Sequence, residues 1–243
     1  LFVLDTTGSM GEEIQRLKTT IELIHLNLSN LSADPLVRFG MVLYKDRGYE
    51  EYVTKRVPLT ADLERFQSVL AEVKADGGGD TPEDLQAALD DTVNMMSWNR
   101  DGIRLAFIIT DAPPHLDYGQ EYDYSSAVRN ARKKGIKFFS VGTGGLDIQG
   151  EYILRQIAQY TAGKYIFLTY GEQGESEGGK VGSVSHHTGA NFQTDKLEAI
   201  IIRLAKEELS YLTDKPLEMA EDYFEAVKTE DEEREETLAK LFH

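Results

Sequence analysis

Short apolar runs recur along the chain in the manner of strands separated by helices. The strand-like runs are Leu1–Leu4, Val37–Tyr44, Tyr52–Leu59, Ile103–Thr110, Ile136–Val141 and Tyr165–Thr169. Several are apolar throughout, which is expected for strands covered on both faces. Between most of them, apolar residues recur at the helical period of about 3.6. These segments are predicted as helices: Glu12–Leu31, Asp62–Lys74, Pro82–Ser97, Tyr124–Lys134, Tyr152–Thr161 and a closing Asp195–Leu212.

The alternation of strands and helices predicts an α/β fold. We expect a doubly wound, mostly parallel sheet with helices on both faces. The second and third runs are joined by the short segment KDRGYEE, which fits an antiparallel hairpin. Tyr52–Leu59 is therefore predicted as an antiparallel edge strand, and Pro58 fits an edge because proline donates no hydrogen bond. In such folds, ligands bind at the carboxyl ends of the strands, near the point where the strand order reverses.

Two segments lie outside this pattern. Gly171–Gly189 is glycine-rich without apolar periodicity, which predicts a long surface loop. Its Ser185–His187 segment carries two imidazoles, but a metal site there would need further ligands. Residues 213–243 are dense in acid and are predicted as an acidic helical extension or linker. We expect one domain over residues 1–212, with an N-terminus truncated in or just before the first strand.

Charge and composition narrow the classes of partner. The formal net charge is −16, and no stripe of basic residues occurs, so a nucleic-acid partner is not expected. A cation or a basic partner fits better. The chain has no cysteine, which excludes disulfides, thiolate metal sites and cysteine nucleophiles. No stretch approaches the roughly 20 apolar residues that a membrane span requires, and the compartment stays open.

Candidate chemistry begins where the first apolar run ends. Asp5, Thr7 and Ser9 carry oxygen atoms at alternate positions, so an extended turn can direct all three to one point. An all-oxygen cluster suits hard cations such as Mg²⁺. A capping box, with Ser9 as the N-cap and Glu12 returning the hydrogen bond, is an alternative for Ser9. It does not account for Asp5 or Thr7.

Two further oxygen-bearing residues, Thr81 and Asp111, also lie next to predicted strands or helices, as Asp5, Thr7 and Ser9 do. Thr81 follows three glycines, Gly77–Gly79, and precedes Pro82 at a predicted helix start. An N-cap role explains the threonine, whereas the glycines indicate a close approach of the backbone to something else. Asp111 directly follows the buried run Ile103–Thr110 and so lies at the carboxyl end of another strand.

Together these residues resemble the von Willebrand factor type A domain with a metal-ion-dependent adhesion site. That family carries Asp-x-Ser/Thr-x-Ser on one loop, a threonine on a second and an aspartate on a third. Asp5, Thr7, Ser9, Thr81 and Asp111 match in order, and the likeness extends from residue 1 to about residue 212. Bacterial members with DTTGSMG, a YKDRG-like hairpin and TDAPPH are the most similar. The resemblance implies a Rossmann-like type A fold with these five residues as metal ligands.

The same resemblance implies residues around the metal and a mode of action. Asp80 is the alternative to Thr81 as a ligand, and Gly78, Gly79 and His115 are expected with Asp80 on the binding rim. The expected cofactor is Mg²⁺, with Mn²⁺ or Ca²⁺ as alternatives. A carboxylate from a protein partner would complete the coordination, in a monomeric, non-enzymatic module of the adhesion type. Similar bacterial members favour an exported or lipid-anchored location.

Other functions remain as alternatives. The domain could be a metal-bearing scaffold subunit of an intracellular assembly with an ATPase or a kinase. A metal-dependent phosphohydrolase of the haloacid-dehalogenase type is disfavoured, because Thr7 occupies the position where that class has its second aspartate. The serine hydrolase elbow and the dinucleotide-binding glycine pattern are both missing from DTTGSMG.

Overall fold

The computed structural model describes residues 1–31, 33–48, 51–78, 81–168 and 196–212. The predictions for Gly79, Asp80, the Gly171–Gly189 loop and residues 213–243 therefore lie outside the described residues.

One mixed sheet forms the centre of the molecule. Its strands are β1 (Phe2–Asp5), β2 (Phe39–Tyr44), β3 (Thr54–Thr60), β4 (Arg104–Thr110), β5 (Ile136–Gly142) and β6 (Tyr165–Phe167). They lie in the order β3-β2-β1-β4-β5-β6, and all neighbours are parallel except β2 and β3. The predicted parallel sheet with an antiparallel edge strand is thus confirmed, with Pro58 on that edge.

Helices cover both faces of this sheet. They are α1 (Gly11–Ser29), α2 (Leu63–Ala71), α3 (Leu85–Asp90), α4 (Tyr124–Lys133), α5 (Ile148–Tyr160) and α6 (Leu197–Ser210). Along β1, Phe2 and Leu4 pack with α1, α2 and α6, whereas Val3 packs with α3, α4 and α5. This alternation follows from the opposite directions of successive side chains in a strand. None of the described helices combines the length and apolar character needed to cross a bilayer.

Aspartate caps explain where two helices differ from their predicted starts. The segment Pro82–Ser97 was expected as one helix, but α3 begins only at Leu85, because the Asp84 carboxylate accepts from the Ala87 N–H. The helix then continues as a π-helical turn at Asp91–Met95. Likewise, α5 starts before the predicted Tyr152, since Asp147 accepts from the Gly150 N–H. Because Asp84 is the N-cap of α3, the interpretation of Thr81 as the N-cap of this helix is wrong.

The strand order decides where a ligand would bind. From β1 the chain proceeds outward to β2 and β3, and it then returns to β4 on the other side of β1. The carboxyl ends of β1 and β4 are therefore neighbours at the reversal of strand order, the usual ligand position in open α/β sheets. Asp5 ends β1 and Asp111 directly follows β4.

The turn between α5 and β6 gives a test of this packing. A Cβ atom added at Gly163 would lie 1.9 Å from the backbone oxygen of Phe138 on β5. A backbone carbonyl cannot move aside as a side chain can, so Gly163→Ala should lower the free energy of unfolding by roughly 3 kcal/mol. Urea denaturation measures the change. The control is Gly102→Ala, whose added methyl group meets no atom closer than 3.7 Å, and an equal loss in both variants would contradict the expectation.

Candidate metal centre

The end of β1 brings three oxygen-bearing side chains together. Asp5 is fully buried, and its Oδ1 accepts from the Thr7 N–H at 3.0 Å and from the Thr7 hydroxyl at 2.8 Å. Its Oδ2 accepts from the Thr110 hydroxyl at 2.8 Å. The Thr7 and Ser9 hydroxyl oxygens are 3.4 Å apart. The alternate oxygen atoms of this turn therefore converge on one point.

Ser9 does not cap the following helix. A single 3₁₀ turn, Gly8–Met10, precedes α1, and the N-cap of α1 is Met10, which makes no side-chain capping hydrogen bond. The Ser9 hydroxyl instead lies 3.4 Å from the Thr7 hydroxyl, and its interaction with the Asp111 carboxylate lowers the pKa of Asp111. The capping-box alternative is thus wrong, and Ser9 links the first loop to the third.

The Asp111 carboxylate lies close enough to Asp5 to disfavour the charge of Asp5. Burial, followed by the negative charge of Asp111, raises the pKa of Asp5 to about 6 despite hydrogen bonds from Thr7 and Thr110. Burial also raises the pKa of Asp111, against the hydrogen bond from Ser9. A cation between such carboxylates would relieve both effects, because it would offset the repulsion and the lost hydration.

The glycine-rich loop is fastened to the first loop by backbone hydrogen bonds. The Gly8 N–H donates to Gly77 O at 3.1 Å, and the Asp76 N–H donates to Thr6 O at 3.1 Å. The buried Lys45 ammonium donates to Asp76 O at 2.7 Å and thereby ties the loop to the end of β2.

Gly78 brings this loop against a predicted ligand. Its φ is +80°, and a Cβ atom added there would lie 3.0 Å from Thr7 Cβ. Thr81, further along, is exposed, and within the described ranges no hydrogen bond joins it to the other four predicted ligands. Its role as a ligand stays a prediction.

Glu83 is an acid at this site that sequence reasoning missed. It is only 2% exposed, and its Oε2 has no hydrogen-bond partner among the residues the structure describes. Burial, and then the charges of Asp5, Asp46 and Asp111, raise its pKa to about 8. The only sequence signal was an acid near a predicted helix start, where favourable interaction with the helix dipole explains it equally well.

Backbone pairing to the third loop places Glu83. Its N–H donates to Pro113 O at 3.0 Å, and its carbonyl accepts from the His115 N–H at 2.9 Å. The predicted rim residue His115 therefore lies next to the site, with its side chain 12% exposed and its Nδ1 2.7 Å from Asp117 Oδ1.

The donor set fits a hard divalent cation. Two carboxylates and the hydroxyls of Thr7 and Ser9 converge, and the unsatisfied Glu83 oxygen is buried beside them. Among the described residues, no group of three or more His, Cys, Asp or Glu side chains could hold a metal ion. The hydroxyl oxygens are therefore needed to complete a site, and such oxygen ligands favour Mg²⁺, Mn²⁺ or Ca²⁺ over softer metals.

Comparison with known proteins agrees with this architecture. The sequence profile of the von Willebrand factor type A domain matches residues 1–173. Alpha-protein kinase vwkA of Dictyostelium discoideum is 27% identical over 169 residues, which are 68% of this chain and 26% of that protein. The human von Willebrand factor A domain-containing protein 7 is 36% identical over 115 residues, 46% of this chain and 12% of that protein. Integrin beta-6 of Ovis aries is 23% identical, over 68% of this chain and 23% of its own length.

Solved structures share the fold at low sequence identity. BatB from Bacteroides thetaiotaomicron superposes with a TM-score of 0.50 at 17% identity, covering 71% of this chain and 90% of that one. Proximal thread matrix protein 1 from the mussel byssus has a TM-score of 0.51 at 14% identity, covering 68% and 40%. The chain spans about a quarter or less of the curated relatives named above.

Glu13, another buried acid near the site, gives a pH-dependent test. Burial raises its pKa from 4.5 to about 7, against a hydrogen bond from Thr143. The stability that this raised pKa contributes is complete below about pH 4.5 and is lost as the pH rises through 7. Glu13→Gln cannot ionise, so at pH 8 in EDTA it should be more stable than the unsubstituted chain by about 2 kcal/mol, with a smaller difference at pH 5.

Urea unfolding at both pH values measures this difference. The control is Glu22→Gln, an exposed position on the same helix. A gain for Glu13→Gln that does not grow between pH 5 and pH 8, or that Glu22→Gln reproduces, would contradict the expectation.

Proposed function

The chain belongs to the von Willebrand factor type A domain family, and we propose that it is a protein-binding module that acts through a divalent cation. The observation that carries the proposal is the pairing of Asp5 with Asp111. Two neighbouring strands end in carboxylates whose pKa values are both raised by burial, and Ser9 joins their loops. Within a buried site, such a pair calls for a cation.

The proposed ligands are Asp5, Thr7, Ser9, Asp111 and Thr81, with Mg²⁺ as the first choice and Mn²⁺ or Ca²⁺ as alternatives. Glu83 is not added to this set, because Asp5, Asp111 and Glu83 do not form a three-acid metal group among the described residues; its buried Oε2 nevertheless lacks a hydrogen-bond partner there. Once bound, the cation would act as a Lewis acid for an anionic oxygen from outside. The Asp5 and Asp111 charges balance a divalent ion, and the hydroxyl ligands add no further negative charge.

A partner that presents an acidic side chain fits this balance. A carboxylate oxygen is a ligand that these cations prefer, and the site lies at the sheet edge where α/β folds bind ligands. The similarity to integrin beta-6 supports an interaction role. We propose no catalytic step, because the residues that converge here suit cation binding rather than proton transfer to a substrate.

The similarity to an alpha-protein kinase supports a second candidate. The matched region covers 68% of this chain. The module could therefore belong to a kinase-associated assembly, with the same cation and the same class of acidic partner.

Titration of metal into EDTA-treated protein tests the cation. Mg²⁺ at about 100 times its dissociation constant should add roughly 2.7 kcal/mol of stability, seen as a rise in melting temperature. Asp5→Asn should lose this response, because it removes the charge of a buried ligand. The control Asp101→Asn makes the same change at an exposed position on the amino edge of the sheet. If Mg²⁺, Mn²⁺ and Ca²⁺ all leave the unsubstituted chain unchanged, the proposal is wrong.

Gly78→Ala tests the position of Thr7 in the site. The added Cβ would press on Thr7, and the backbone there has a φ of +80°. We expect about tenfold weaker cation binding, the size usual for a residue that orients a ligand. Gly119→Ala is the matched control, since its φ is +62° and nothing lies within 4 Å of the added atom. Calorimetric titration would speak against this role of Gly78 if both variants bound the cation equally.

A further inference from the structure

Arg47, at the tip of the β2–β3 connection, is an exposed cation held in one orientation. Its Nε donates to Asp84 Oδ2 at 2.5 Å. Its guanidinium carbon lies 4.4 Å from the centre of the Tyr118 ring. The side chain nevertheless keeps 41% of its surface exposed. Stacking and one hydrogen bond thus orient the group without covering it.

The two residues that contact Arg47, Asp84 and Tyr118, are held in place by further hydrogen bonds. The Asp84 side chain is fully buried, and its Oδ1 accepts from the Ala87 N–H at 3.0 Å and from Gln120 Nε2 at 2.7 Å. The Tyr118 hydroxyl donates to Asp46 Oδ1 at 2.5 Å. The Tyr118 ring also stacks on the His115 ring, with ring centres 4.0 Å apart.

The orientation of Arg47 leaves its outer end available. Its Nε is engaged by Asp84, and among the residues described no hydrogen bond is made by its two Nη groups. The Nη pair of a guanidinium matches both oxygens of a carboxylate. The other nearby cation, Lys45, is 3% exposed and is engaged by Asp76, so it serves the interior.

Arg47 is linked to the metal site through Asp84 and Glu83 of the second loop. Asp84, which holds it, directly follows Glu83, and the charges of Asp5 and Asp111 reach the Glu83 carboxyl. Asp46, which precedes Arg47 in sequence, reaches the same carboxyl. The guanidinium is thus an exposed positive group near these acids.

The negative net charge of the chain gives an exposed arginine a role in binding an acidic partner. The chain carries a formal charge of −16, so an acidic partner approaches against a repulsive field. A cation at Asp5 and Asp111 would offset this at one point. A fixed arginine offers a second point, and its prior ordering lowers the entropy cost of binding.

We propose that Arg47 binds a second carboxylate of the partner, so that the module recognises segments carrying two acidic side chains rather than one. This inference rests on the proposed function, in which the first carboxylate completes the cation. Arg47 then favours segments with two acidic side chains over segments with one. When a segment has only one acid, the Nη groups of Arg47 bind water instead of a second carboxylate.

Synthetic peptides provide the probe. One peptide carries a single aspartate in a glycine-serine background, and in the others a second aspartate is moved stepwise away from the first. Affinities for the full chain are measured by NMR titration in saturating Mg²⁺ and again in EDTA. We expect at least one two-aspartate peptide to bind about fivefold more tightly than the single-aspartate peptide, as for a partly exposed charge-assisted pair.

Arg47→Gln should reduce this ratio to about one. Arg56→Gln should keep it, because Arg56, on the edge strand β3, is similarly exposed at 43% but pairs with Asp91 at the end of α3. The proposal is overturned if Arg47→Gln keeps the ratio, if Arg56→Gln loses it equally, or if no second aspartate improves binding. The proposal on Arg47 is also overturned if the chain binds none of the peptides.

The cation proposal fails separately. Peptide binding that persists in EDTA and in Asp5→Asn would refute it, whereas Mg²⁺-dependent binding without a gain from the second aspartate refutes only the role of Arg47.

Discussion

Burial of the Asp5 carboxylate beside the charge of Asp111 is the constraint on which this end of the molecule depends. Asp5 and Asp111 follow neighbouring strands, and the pKa of Asp5 reaches about 6 because burial and the charge of Asp111 act together. The surrounding chain supplies donors to Asp5 from Thr7 and Thr110. These hydrogen bonds offset only part of the cost of the charge. The remaining cost supports the proposal that a cation occupies the site.

The acidic character extends beyond this pair. Glu13 and Glu83 are also buried, and burial raises the pKa of each to about 7 and about 8. The loops around these acids are fastened by backbone hydrogen bonds, from Gly8 to Gly77 and from Glu83 to Pro113. Two cations of the β2–β3 connection differ in their exposure. Lys45 is buried and pairs with Asp76 of the glycine-rich loop, whereas Arg47 is exposed to solvent.

Local signals predicted most of the fold. Apolar runs and the helical period specify strands and helices from neighbouring residues alone, so the order of elements and the edge strand were correctly predicted. The starts of α3 and α5 were not, because Asp84 and Asp147 compete with other residues as caps, and only packing selects among them. Ser9 failed as a cap for the related reason that Asp111 attracts its hydroxyl.

The sequence by itself determined the α/β alternation and the oxygen atoms of Asp5, Thr7 and Ser9, because both follow from the period of a single short segment. The sequence also placed Asp111 at the end of another buried run, and family resemblance implied that it shares their site. The adjacency of β1 and β4 then brought it next to them. Only the tertiary structure identified Glu83 and Arg47. Their positions depend on pairing with Pro113 and Asp84 from other parts of the chain, and such contacts between distant residues leave no periodic trace in the sequence.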